Sequence, residues 1–279
     1  MKRKHFRRWL RDFLLSKKAL AIPLTYLILF VSLMAMISVT YCFAVAKIST
    51  SGALLKASMA KQNMQVLDSA VHSVAWSFGA SEVVYMDDCG GVFQTEPTAK
   101  NLIINFTDEQ SFYDIVFNSS VGKVFCELEP SEFNYESLFV KGDWRTIINQ
   151  SAFTTTQLYV TAGDEAREIV LCYRPLATAV VTGTSNGKPL NLIRIYVINL
   201  NSSQSLMLRE KFYLKITSAD VTTVPHQYEF NQSVSSLELK ALFEGILGTV
   251  WLPISSNAEG AVVSLEIVVC NVKVQKVEV

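Results

Sequence analysis

From Ala19 to Ala46 the chain runs 28 residues without a charged side chain, directly behind an 18-residue head that carries eight Lys or Arg and a single acid, Asp12. A hydrocarbon layer about 30 Å thick is crossed by roughly 20 helical residues. The run is therefore long enough to span a bilayer with some tilt, and no other stretch of the sequence comes close. Lys2, Arg3, Lys4, Arg7, Arg8, Arg11, Lys17 and Lys18 precede it, and Lys47 is the first charge beyond it. By the positive-inside rule this asymmetry puts the N-terminus in the cytoplasm and everything after residue 47 outside. The expectation is a single-pass protein of the cytoplasmic membrane with an exported C-terminal region, and the lipid bilayer is its first partner. A removable secretory signal is the rival reading, because Ala44-Val45-Ala46 has the small-x-small form of a cleavage site. Such signals have apolar regions of about 7 to 15 residues, whereas 25 uncharged residues stand before Ala44 here.

Outside the span a second pattern begins. Small or apolar residues fall at Ala53, Ala57, Ala60, Met64, Leu67, Val71, Val74 and Phe78, alternately four and three apart, while Lys56, Lys61, Gln62, Asp68 and His72 lie off that line. A spacing near 3.5 is the seam of an amphipathic helix. It predicts a helix over 47–79 that extends the transmembrane helix of 19–46, with Gly79 as a left-handed cap and Ser49-Thr50-Ser51-Gly52 as a patch that could divide it in two. The seam could pack on the chain's own head or mediate self-association, and its spacing fits both.

Past residue 80 the period changes to two. Segments such as LIINFT (102–107), YDIVFN (113–118), KVFCELE (123–129), QLYVT (157–161), EIVLCYR (168–174), LIRIYVINLN (192–201), LREKFYLKITS (208–218) and TVWLPI (249–254) are rich in β-branched and aromatic residues and are separated by turn formers. The last run, 261–279, alternates with a one-residue slip near Lys276 that predicts a bulge. Asp87-Asp88-Cys89-Gly90-Gly91 reads as a hairpin turn, with a Ca²⁺ loop as the less favoured alternative. Asn201 to Ser205 reads as another hairpin turn, and only SLELKALFEG (236–245) as a short helix. The fold class expected is mainly β: an N-terminal transmembrane helix extended by an amphipathic helix, followed by an extracytoplasmic antiparallel β-sandwich over 80–279. Residues 1–18 form the basic cytoplasmic head or leader, and a weak boundary near 183–189 would allow two smaller β-modules.

Charge agrees with export. The whole chain is neutral, with 25 basic and 25 acidic residues, but without the head it has 17 against 24. A mildly acidic exported surface gives no footprint for nucleic acid, and the basic cluster is accounted for by orientation and anionic lipid headgroups. Asn-x-Ser/Thr sequons at Asn105, Asn118, Asn149, Asn201 and Asn231 are candidate N-glycosylation sites. Cys42 falls in the span. Cys89, Cys126, Cys172 and Cys270 fall in the exported region, where an even count permits two disulfides with three connectivities left open. No two of these four are close enough in sequence for a zinc motif.

Catalytic motifs are not found. His5 lies in the head, His72 on the seam helix and His226 in a Pro-His-Gln-Tyr segment that reads as a turn, and no spaced ligand set or phosphate-cradling Gly loop accompanies them. Glu127, Glu129 and Glu132 read as a solvated edge. No enzyme activity, metal or cofactor is expected.

Lys17-Lys18-Ala19-Leu20 resembles the class III signal of archaeal type IV pilins and archaellins, in which a basic pair and a Gly or Ala precede the cut and the apolar helix is retained. Ala19 stands where Gly is commoner, and Leu24 where bacterial-type pilins carry Glu. The resemblance implies peptidase cleavage before Leu20, with Pro23 then in the first helical turn, where its missing N–H is harmless. It also implies assembly with further copies or other pilin-like subunits through the apolar helix, glycosylation, and a surface structural or adhesion role. The alternative is a permanently anchored, non-polymerising surface module for binding or sensing. A surface hydrolase with residues scattered along the sequence is a third.

Overall fold

The switch of period near residue 80 divides the architecture as it divides the sequence. A computed structural model describes residues 17–108, 112–129, 138–162 and 166–278, with side chains from residue 23 onward. The basic residues of the head before position 17, His5 and Glu132 lie outside the described residues. Among the described residues one long helix, α1 (Lys17–Val74), is followed by thirteen strands: β1 (Ser81–Met86), β2 (Val92–Thr107), β3 (Tyr113–Leu128), β4 (Leu138–Lys141), β5 (Thr156–Ala162), β6 (Arg167–Tyr173), β7 (Leu176–Ser185), β8 (Lys188–Asn199), β9 (Met207–Leu208), β10 (Phe212–Phe230), β11 (Ser236–Phe243), β12 (Ile246–Pro253) and β13 (Ala261–Lys276). The chain is mainly β, with one long apolar N-terminal helix. It separates into two compact units at Leu55/Lys56.

The first unit is helical from Lys17, through the Ser49–Gly52 patch, without a break. A Cβ at Gly52 would meet nothing within 4 Å, so that glycine answers no packing need. From Pro23 onward the helix is long and apolar enough to cross a membrane, and its most apolar window is wholly unburied.

In the second unit the remainder of α1 packs into a core shared by two sheets. One sheet runs β1-β10-β13-β8-β7, and the other β12-β11-β2-β3-β6-β5-β4 with β9 beside β2. Ala57, Ala60, Met64, Leu67, Val71 and Val74 of the seam are buried with Val84 and Met86 of β1, Leu158 and Leu171 of the second sheet, and Leu214 and Val272 of the first. Ala53 and Phe78, at the two ends of the seam, are exposed. The helix stops at Val74 rather than Phe78, and Trp76 takes a positive φ of 69° ahead of Gly79 at 78°. A second cluster joins Leu102, Ile104 and Phe106 of β2 to Ile193 and Ile195 of β8 and Val263, Leu265 and Ile267 of β13.

Several local expectations are corrected. Residues 236–245 are a strand and a turn, not a helix: Leu237, Leu239, Ala241 and Phe243 are all buried, an alternation of two, and β11 is paired on both sides by β2 and β12. Glu244 and Gly245, at φ 52° and 78°, close the β11–β12 hairpin in a primed-type turn. Helix-forming Leu, Glu, Lys and Ala are overridden by two paired neighbours. The sheets are not purely antiparallel either, because β8 and β13 pair in parallel over Leu190–Asn199 and Val262–Asn271. It follows that 201–205 is no hairpin turn, since β13 lies between β8 and β10. Asp87–Gly91 is likewise a crossing from one sheet to the other, as β1 pairs with β10 and β2 with β3.

The expected bulge near Lys276 is absent at that position; β13 ends there, and the register shift falls between Ser218 and Asp220 of β10. Pro225 and His226 lie inside β10, paired to Glu266 and Leu265. Proline is tolerated because β1 covers β10 only over Phe212–Thr217, which leaves that edge free of a second ladder. Residues 183–189 contain the Asn186–Gly187 turn of the β7–β8 hairpin, and 56–279 form one compact unit.

Candidate functional site

Four hydroxyls of the long apolar helix are bonded within the helix itself. Ser32, Ser38, Thr40 and Thr50 each donate to a carbonyl one turn back, those of Leu29, Met34, Met36 and Ala46, at 2.8 to 2.9 Å. Hydroxyls satisfied within their own helix need no water. The surrounding Leu27, Phe30, Val31, Leu33, Ile37 and Phe43 are all exposed. Lys17 to Leu20 have helical backbone. In the intact chain Pro23 therefore lies inside α1, where its ring removes the hydrogen bond to the Ala19 carbonyl. A chain beginning at Leu20 would place it in the first turn.

The part of α1 in the second unit is also held by one side chain that lies off the seam. Asp68 is only 1 % exposed. Its carboxylate accepts from Lys141 Nζ at 2.6 Å, Thr156 Oγ1 at 2.7 Å and Tyr173 OH at 3.1 Å. His72, one turn on, lies 3.4 Å from the same carboxylate and 2.9 Å from Thr156 Oγ1. Since Thr156 donates to Asp68, its oxygen accepts from His72 Nε2–H, which suits a neutral ring. Burial lowers the His72 pKa below its ordinary value, Asp68 opposes the shift and Lys141 adds to it. Burial raises the fully enclosed Tyr173 phenol, and Asp68 adds to that. The helix is thus pinned to β4, β5 and β6 by charge-assisted bonds as well as apolar contact.

Two further polar nodes hold the sheets. Lys100 of β2 is buried against Glu244 at 2.8 Å and Tyr159 OH at 3.1 Å, with its ammonium 4.8 Å from the Phe243 ring centroid. Burial lowers this ammonium, but Cys172, Tyr159 and Glu244 outweigh it and hold its pKa above the ordinary lysine value. Arg174 is buried and donates to the Asp143 carboxylate, to Thr154 O at 2.9 Å and to Arg145 O at 2.9 Å. Arg145 first, and Arg174 after it, hold the Asp143 carboxyl well below the usual range. Nothing in the sequence marks these nodes, because their partners lie far apart along the chain. Only the unusual sight of Asp68 between two seam positions could have signalled the first.

These charges face one another rather than an open cleft. A hollow of about 370 Å³ lies among Thr95, Glu96, Pro97, Thr98, Ser205 and Met207. Its one carboxylate, Glu96, pairs with Lys123 at 3.1 Å. Asp88 accepts from the Gly90 amide and Asp87 from the Asp88 amide, so both acids serve the crossing. Glu127 accepts from Gln94, and Glu129 lies 3.9 Å from Lys56. Among the described residues no three His, Cys, Asp or Glu gather as a metal-binding group.

Asn118, Asn149 and Asn231 are exposed, Asn201 is half-buried, and Asn105 is half-buried in mid-strand between β3 and β11. The Asn105 side-chain oxygen is buried without a hydrogen-bond partner among the described residues. Cys42 is exposed on α1, and the other four cysteines are buried. The fold brings Cys89 and Cys126 together, sulfur to sulfur at 3.4 Å. It gives Cys172 and Cys270 other neighbours. Comparisons with protein-family models, with curated proteins and with solved structures return no match.

Proposed function

We propose that this chain is a membrane-anchored cell-surface subunit, pilin-like in plan, which assembles through its N-terminal apolar helix and displays an exported β-sandwich head. The reading rests above all on the stretch from Pro23 to Ala46, which is uncharged, exposed at every residue and internally satisfied at Ser32, Ser38 and Thr40. So large an apolar surface on an otherwise well-packed chain calls for lipid or other helices. The basic residues ahead of it orient the head outward. The seam residues from Ala57 to Val74 are buried in the core that the two sheets share, whereas residues 23–46 are exposed throughout. Glycans on exposed sequons such as Asn118, Asn149 and Asn231 would suit a displayed surface.

The test is the first residue of the mature protein, read by N-terminal sequencing or peptide mass on the membrane fraction and on material sheared from the surface. A start at Leu20 is the expected result. A chain that retains Met1 or Lys2 refutes processing and leaves the permanently anchored, non-polymerising module in its place.

A further inference from the structure

We infer that Cys89 and Cys126 are joined as a disulfide in the exported protein, whereas Cys172 and Cys270 stay thiols; the inference rests on the outward placement of the head proposed above. The two sulfurs lie 3.4 Å apart, against about 2.0 Å in a disulfide bond. Both side chains are buried, and the backbone around them is built for close approach. A Cβ at Gly91 would lie 2.4 Å from the Glu127 carbonyl oxygen and 3.3 Å from the Cys126 sulfur. Gly90 takes a φ of 65°, in the left-handed region, with the Lys56 stem against it. The double glycine thus lets the sheet-to-sheet crossing lie flat on β3. Asn63 of α1 clamps the same crossing from the other side, donating to Asp87 O at 2.8 Å and accepting from Asp87 N at 3.3 Å.

The other two cysteines are placed differently. Cys172 of β6 has Gln157 Oε1 at 3.6 Å and Lys100 Nζ at 3.9 Å. Cys270 of β13 has Ser218 Oγ at 3.6 Å. They belong to separate core clusters.

The chemistry is thiol–disulfide exchange with an oxidised dithiol oxidoreductase of the export compartment, running while the crossing is still open during folding. In the closed crossing the two thiols share a hydrogen bond, which lowers the pKa of one and raises that of the other. Either cysteine can attack first, and both orders give the same bond. With Cys89 first, its thiolate attacks one carrier sulfur, the carrier disulfide breaks, and the second carrier sulfur leaves as thiolate. Cys126, losing its proton, then attacks the Cys89 sulfur and expels the first carrier sulfur. Two electrons pass to the carrier, and the protons lost by the two cysteines end on its two thiols.

The experiment maps disulfides in the full chain twice: once isolated from its host under alkylating, non-reducing conditions, and once reduced, unfolded in detergent and refolded in a glutathione redox buffer. A cross-linked peptide joining Cys89 to Cys126 is expected in both samples, with Cys172 and Cys270 alkylated only after unfolding. Cys172→Ser should keep the cross-link and Cys89→Ser should lose it. Free Cys89 and Cys126 in the refolded sample, or a bridge to Cys172 or Cys270, overturns the pairing. A bridge in the refolded sample but not in host material upholds the pairing and overturns the outward placement of the head.

Discussion

Replacing Asp68 by Ala should loosen the attachment of α1 to the sheets more than any exposed substitution on the same helix. The change removes an acceptor that Lys141, Thr156 and Tyr173 share at 2.6, 2.7 and 3.1 Å. Thr156 and Tyr173 are buried, so their hydroxyl protons would lose their acceptor where water does not reach. A buried donor left unpaired costs about 1–3 kcal/mol, and breaking a buried ion pair about 3–5 kcal/mol. Lys141 is 42 % exposed and can rehydrate, which places the sum toward the lower end. A loss of about 3–4 kcal/mol is expected, which lowers the melting temperature by roughly 10 °C for a unit of this size. The assay is thermal or urea unfolding of the full chain in detergent, followed by circular dichroism, with Asp68→Asn as the intermediate variant because it keeps an acceptor and gives up the charge. Lys141→Met should cost less than Asp68→Ala, since its exposed ammonium leaves a carboxylate still bonded to two hydroxyls. A drop below about 1 kcal/mol for Asp68→Ala, within the range of ordinary surface changes, would refute the reasoning.

The lowered pKa of His72 gives a second prediction. Its folded value lies below the ordinary one, so the unfolded chain binds the extra proton first. That contribution to stability is full above about pH 6.5 and is lost as pH falls through the folded pKa; His72→Gln should therefore flatten the acid side of a melting-temperature profile, and an unchanged slope would count against it. Ile37 lies within the uncharged run and is exposed, so if the run spans a bilayer as proposed, Ile37→Asp should cost about 2.5–3.5 kcal/mol of insertion and move protein out of the membrane fraction; equal partitioning would argue against a bilayer span. Gly91→Ala places a methyl 2.4 Å from the Glu127 carbonyl oxygen and should destabilise by about 1–3 kcal/mol as an overpacked site, whereas Gly52→Ala, with open space around it, should be neutral or stabilising in the same unfolding assay.

What the sequence by itself determined is whatever depends on near neighbours along the chain. An uncharged run at Ala19–Ala46 makes an apolar helix whatever surrounds it, and its length alone meets the bilayer criterion. Six of the eight seam residues, Ala57 through Val74, are buried because a 3.5-residue spacing aligns them on one face of any helix. Alternation likewise made strands of most segments beyond residue 80.

Only the tertiary structure decided the rest. Residues 236–243 have side chains that would serve a helix, and pairing with β2 and β12 makes them a strand. Asp68 reads as a solvated position by spacing, yet Lys141, Thr156 and Tyr173 arrive from three strands to bury it. The parallel pairing of β8 with β13 and the meeting of Cys89 with Cys126 are of the same kind. In each, the deciding partner stands tens of residues away, so the energy that selects the conformation is a contact between distant segments and leaves no local period to read.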